Sequence, residues 1–176
     1  MTKSSRSRCF MMWLVYLALS VIILFFQLIP LHFVPSHFAG PDLLMAITLA
    51  WTIRRPEFVP TLLVAVVYLL ADFLLQRPPG LLSLLVILGC KLIETQSIRL
   101  RTSSFTNEWI FIGCIITSII LLFWMVQALV GISQAPIKVN FVQITFTFLI
   151  YPLIVVISHL FFLIRKSRMP VEDIIG

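Results

Sequence analysis

A chain of 176 residues that is 60% hydrophobic and only 11% charged has more apolar surface than a water-soluble fold can hide, because a fold of this size buries about 70% of its unfolded surface. Its solvent is therefore lipid, and the expected fold class is all-α: a polytopic bundle of transmembrane helices forming one integral membrane domain over residues 1–176. The formal charge of +6 does not mark a nucleic-acid binder, since the basic residues form short clusters between apolar segments and no stripe.

Lys3, Arg6 and Arg8 precede the first apolar block, residues 10–29. That block has the outline of a signal sequence, but its core is too long and no small-x-small cleavage site follows it, so it is expected to remain as the first span. His32 and His37 follow, with Pro35 between them; two ligands do not make a zinc site.

The second block, Pro41 to Ile53, would rise only about 20 Å as a helix. It must borrow Phe38 to Gly40, sit shielded in the bundle, or fail to cross; crossing over residues 38–53 is expected. Gly40-Pro41-Asp42 carries a helix-start signature, so Asp42 reads either as a cap or as a charged contact. Ala46 and Ala50 are a small-xxx-small pair suited to close packing inside the chain or against a partner.

Arg54-Arg55-Pro56-Glu57 makes a basic turn, an anchor that could also meet anionic lipid or an acidic protein surface. The third block, residues 58–75, contains Asp72 one turn before its end, where the helix dipole disfavours an anion and no cap is expected. Three roles stay open for Asp72: an internal pair with Arg77, contact with another membrane protein, or ion coupling.

The fourth block, residues 81–95, is short and carries Lys91 and Glu94 three apart on one face, placed to pair with each other. The fifth and sixth span residues 109–132 and 141–164. Trp51 and Trp109 sit where interfacial anchors belong. Pro152, inside the sixth, frees a backbone carbonyl, so that position is expected to kink or to face protein.

Six crossings with both termini cytoplasmic would put Lys3, Arg6, Arg8, Arg54, Arg55, Lys91, Arg99, Arg101, Arg165, Lys166 and Arg168 inside. Of the 13 Lys and Arg only Arg77 and Lys138 would then lie outside, the asymmetry expected of a membrane protein. Cys9, Cys90 and Cys114 are too dispersed for a metal site, His159 points away from its neighbour Ser158, and no nucleotide, zinc-protease or hydrolase motif occurs. Neither catalytic residues nor a cofactor is expected.

Pro41-Asp42-Leu43-Leu44, Leu49-Ala50-Trp51-Thr52-Ile53-Arg54-Arg55-Pro56-Glu57 and Ala71-Asp72-Phe73-Leu74-Leu75-Gln76-Arg77-Pro78-Pro79-Gly80 resemble the rod shape-determining MreD family, closest to its alphaproteobacterial members. Glu108-Trp109, Tyr151-Pro152 and the basic tail extend the likeness over nearly the whole chain. The resemblance implies a non-enzymatic scaffold in the bacterial inner membrane, part of the elongation complex that directs peptidoglycan synthesis and cell shape. Its implied partners are MreC and, through it, MreB filaments and RodA with its class B penicillin-binding partner.

The expected partner surface is Asp42, Asp72, Gln76 and Arg77 with Ala46 and Ala50, and Arg54 and Arg55 form the cytoplasmic basic turn. That family is in turn distantly similar to the substrate-binding subunits of energy-coupling-factor transporters. The rival expectation is accordingly a membrane subunit that binds a vitamin-type solute, which would need convergent polar groups that this sequence offers sparsely.

Overall fold

The structure, a computed structural model, describes residues 3–28, 41–102, 105–131 and 137–162. His32, His37, the backward extension through residues 38–40 and the basic tail lie outside the described residues, as do the side chains of Lys3, Arg6, Arg99, Arg101 and His159. Among the described residues six α-helices follow one another: α1 (Lys3–Leu28), α2 (Leu43–Arg54), α3 (Thr61–Leu74), α4 (Leu81–Thr102), α5 (Phe105–Val130) and α6 (Ile137–Phe162), with a 3-10 turn at Pro56–Phe58. All regular structure among the described residues is helical, as the composition demands. Among the described residues three stretches, Ser7–Leu28, Phe105–Val130 and Lys138–Ser158, are long and apolar enough to cross a bilayer.

How the chain accommodates its short second block is the main organising fact. Pro41 and Asp42 are not helical, and α2 runs only 12 residues, about 18 Å. It sits shielded: every residue except Leu43 and Ile47 is buried, with α4 on one side, α6 on another, and α1 closing a third. Around it, α1 packs on α3, α3 on α4, α4 on α5 and α5 on α6. The other short block resolves differently, since α4 runs on to Thr102, well beyond the expected end at Thr95.

Burying a whole helix requires that its polar side chains find partners. Thr48 Oγ1 directs its hydrogen to the Leu44 carbonyl at 2.7 Å and so accepts from both tyrosine hydroxyls around it, Tyr16 of α1 at 2.9 Å and Tyr68 of α3 at 3.2 Å. Thr52 Oγ1 lies 2.8 Å from the Thr48 carbonyl and 3.6 Å from Cys90 Sγ of α4. Three helices are thereby tied to α2 through two threonines. Ala46 and Ala50, fully buried, let the neighbouring backbones approach.

The α3–α4 turn explains Asp72. The Arg77 amide donates to the Asp72 carbonyl at 3.0 Å and the Gln76 amide to the Phe73 carbonyl at 3.3 Å, with Gln76 at φ +54°. These are the two bonds of a Schellman ending, with glutamine in the left-handed position usually given to glycine. The Asp72 side chain meanwhile turns forward: Oδ2 accepts from the Gly80 amide at 2.9 Å and from the Ser83 amide at 3.5 Å. The acid that has no capping role on its own helix caps the next one, and among the described residues no ion pair joins it to Arg77.

Pro152 cannot donate to the Phe148 carbonyl. That carbonyl is satisfied from α5, where Trp109 Nε1 donates to it at 3.0 Å while the two rings stack at 4.6 Å. The stack needs Gly113, because a Cβ there would run into the Phe148 ring. The carbonyl that Pro152 frees therefore faces protein, as expected, while Pro152 itself is half-buried. Trp109, expected as an interfacial anchor, instead turns its indole N–H into the bundle.

Candidate functional site

Polar groups gather at the two ends of the bundle. At the end formed by the α2–α3 turn and the start of α5, Arg54 Nη2 lies 2.9 Å from Glu108 Oε1, and the two side chains are 7% and 0% exposed. Tyr151 of α6 donates its hydroxyl to the same carboxylate oxygen at 3.0 Å. Beside them Trp51 Nε1 donates to Ser158 Oγ at 3.0 Å, and Tyr16 packs on Trp51 with ring centroids 6.0 Å apart.

Arg54, Glu108 and Tyr151 come from three different helices, so their contacts join α2, α5 and α6. A charge buried alone would carry a penalty of several kcal/mol, and the pair with its phenol is what makes the burial tolerable. This corrects two expectations. Arg54 is no surface cation of a basic turn but an internal ion-pair member, and Trp51, 1% exposed, is no interfacial anchor. Arg55 alone remains at the surface, 3.9 Å from Glu57 and stacked over Phe58 at 5.9 Å.

The opposite end brings together the start of α2, the α3–α4 turn, the end of α5 and the start of α6. Asp42 caps α2, its Oδ1 accepting from the Met45 amide at 3.0 Å. Its own amide donates to Thr147 Oγ1 at 3.0 Å, and that hydroxyl donates to the Gln143 carbonyl at 2.7 Å. Above them lies a partly enclosed cavity of about 150 Å3. Its polar lining is Asp42, Arg77, Trp124, Gln127, Asn140 and Gln143.

Of the six residues expected to form a partner surface, Asp42, Ala46, Ala50 and Asp72 are buried inside the chain, where they cap and pack. Only Gln76 and, in part, Arg77 reach the surface. The small-residue pair therefore serves internal packing and is not presented to a partner helix. Lys91 and Glu94 pair at 2.7 Å on the surface of α4, as their spacing predicts.

Two functional groups escaped the sequence reading. Glu108 is the buried partner of Arg54, and the available signal was an acid opening a long apolar helix in a chain with only 7 acids. The carboxamides of Gln127, Asn140 and Gln143 flank an apparent loop in sequence and meet only because α5 and α6 are antiparallel neighbours. Among the described residues no group of three metal-ligating side chains occurs. Compared with protein-family models, curated proteins and solved structures, the chain matches none.

Proposed function

We propose that this chain is a non-enzymatic scaffold of the bacterial elongation complex, an inner-membrane protein of the MreD type that binds MreC and helps link MreB filaments to the peptidoglycan synthases. The observation that carries the reading is the use of its ionisable groups at membrane depth. Asp72 caps a helix, Asp42 caps another, and Arg54 and Glu108 form an ion pair. Such groups are functional candidates by default, and here Asp72, Arg54 and Glu108 each have a structural task that would leave them little freedom to carry protons, ions or a reaction, while Asp42 commits one carboxylate oxygen to its cap.

The surface available to a partner is correspondingly narrower than the one expected from the sequence. It includes the outward face of α3, where Leu62, Val66, Leu70 and Phe73 are exposed, continued by the Gln76 to Pro79 turn. These side chains follow helical spacing along one stripe, the form in which a helix receives a second membrane-spanning helix, and the turn lies where a juxtamembrane segment would emerge. A vitamin-type solute is supported less well, because the polar cavity of about 150 Å3 is below the roughly 300 Å3 from which such sites start, and the hollow of about 550 Å3 between α5 and α6 is shallow and mainly apolar, without the convergent polar groups such a ligand needs.

The test is copurification with MreC from membranes. Replacing Leu62, Val66 and Phe73 with alanine while leaving the buried residues intact should reduce recovery of the partner with the chain still inserted and folded. Depletion of the protein from a rod-shaped host should round the cells. Undiminished copurification removes the α3 face, and rod-shaped cells after depletion remove the scaffold reading itself.

A further inference from the structure

The cavity between the start of α2, the α3–α4 turn, α5 and α6 differs from every other part of the described interior. Its inner wall is apolar, formed by Met45, Leu82, Ile120 and Phe123, whereas the remaining lining carries a carboxylate, a guanidinium, three carboxamides and an indole. Elsewhere in the core Thr48, Thr52, Trp51, Ser158, Arg54 and Glu108 each meet a polar side chain of another helix or a carbonyl of their own, whereas the cavity's polar side chains, apart from the buried Asp42, are half-buried and face open space. Here, among the described residues, no hydrogen bond engages the side chains of Arg77, Gln127, Asn140 or Gln143, and no ion pair joins Asp42 to Arg77 although both line the same space. The Asp42 cap uses Oδ1, and Oδ2 accepts nothing among those residues.

Charge and size select the ligand. A single anion would meet Asp42 as well as Arg77, and a single cation would meet Arg77 as well as Asp42, so either gains from one group and loses to the other. A molecule with both charges meets two opposites. Carboxamides donate and accept, and so supplement either end. A cavity of about 150 Å3 is the size that holds a benzene, about six non-hydrogen atoms, and the apolar wall suits a short methylene spacer.

We propose that this cavity binds a small zwitterion, an ammonium group two or three carbons from a carboxylate or phosphate. The anion sits on the Arg77 guanidinium, whose planar fork matches an oxyanion. The ammonium sits on Asp42 Oδ2 and the carboxamide oxygens of Asn140 and Gln143. This chemistry has two sources: a free amino-acid-like solute, or the phosphoethanolamine headgroup of a lipid lying against the bundle. The inference concerns the isolated chain and does not rest on the scaffold reading.

The purified full chain in detergent is titrated with β-alanine, and with propionate and propylamine as single-charge controls, while thermal unfolding is followed. A ligand that binds only the folded state raises Tm with concentration. In parallel, Tm is compared in nanodiscs of phosphatidylethanolamine and of phosphatidylglycerol. The free source predicts a saturable rise with β-alanine and none with the controls; the lipid source predicts a higher Tm in phosphatidylethanolamine.

In either case Arg77→Gln and, independently, Gln143→Leu weaken the effect by about tenfold or more in apparent affinity, with the ligand-free Tm unchanged. Two outcomes overturn the proposal: equal stabilisation by a single-charge control, or no shift from β-alanine or phosphatidylethanolamine that these variants reduce.

Discussion

The two ends of this bundle handle charge in opposite ways. At the Arg54 end a cation, an anion and a phenol from three helices touch one another at 2.9 to 3.0 Å and are closed off from the surface. At the Asp42 end a carboxylate that caps α2 with one oxygen and a guanidinium face a common cavity without pairing, beside carboxamide side chains that make no hydrogen bond among the described residues. Buried charge is tolerable in a membrane only when matched. The first arrangement is therefore a clamp that holds helices in place, whereas in the second Arg77 and the carboxamides are half-buried and open to a further partner. Their sequence signatures, an isolated acid or base beside an apolar run, are alike.

The contrast is broken most severely at the clamp. Arg54→Ala or Glu108→Ala strands a buried charge and should lower stability by about 3–5 kcal/mol, read as the shift of a denaturation curve in mixed micelles followed by tryptophan fluorescence. The double variant Arg54→Met/Glu108→Leu removes both charges and should recover most of that loss. Single variants as stable as the parent would show that the pair holds nothing.

Next in size is the turn that separates α3 from α4. Asp72→Leu leaves the Gly80 and Ser83 amides without their acceptor and should cost about 1–3 kcal/mol, with Asp72→Asn costing less because it keeps a side-chain oxygen. Equal losses for the two would point to packing rather than capping. Trp109→Phe retains the ring stack but orphans the carbonyl that Pro152 frees, for about 1–2 kcal/mol. In a Pro152→Ala background, where the helix can supply its own amide, the same change should cost measurably less.

Smaller effects sharpen the comparison from the other side. Gln76→Gly relieves a left-handed glutamine and should stabilise by about 0.5–1 kcal/mol, visible as a rise in Tm; a fall would assign the side chain a contact. Arg77→Gln should alter ligand-free stability by less than about 0.5 kcal/mol, since its guanidinium clamps nothing. That near-neutral change, set beside the collapse expected for Arg54→Ala, is the most direct measure of how the ends differ.

Several local features were legible because their causes lie within a few residues. Helix starts at Pro41-Asp42, the i,i+3 pair of Lys91 and Glu94, and the unsatisfied carbonyl before Pro152 all follow from backbone chemistry that needs no distant partner. The partner surface was legible only in part. Asp42, Ala46, Ala50 and Asp72 were singled out as unusual in an apolar setting, yet their burial depends on α2 being enclosed by α1, α4 and α6, which no single segment encodes.

By itself, the sequence determined that the chain is helical and lives in lipid, since hydropathy and the bilayer's demand for internal backbone hydrogen bonds act on each segment separately. Tertiary structure alone decided that the shortest helix occupies the centre, that Asp72 caps the following helix instead of meeting Arg77, and that Arg54 turns inward to Glu108, 54 positions away. It also decided which carboxamides share a cavity with Asp42 and Arg77. The physical reason is that a polar group's partner is set by which helices become neighbours, and neighbours are chosen by the packing of whole faces rather than by any residue's place along the chain.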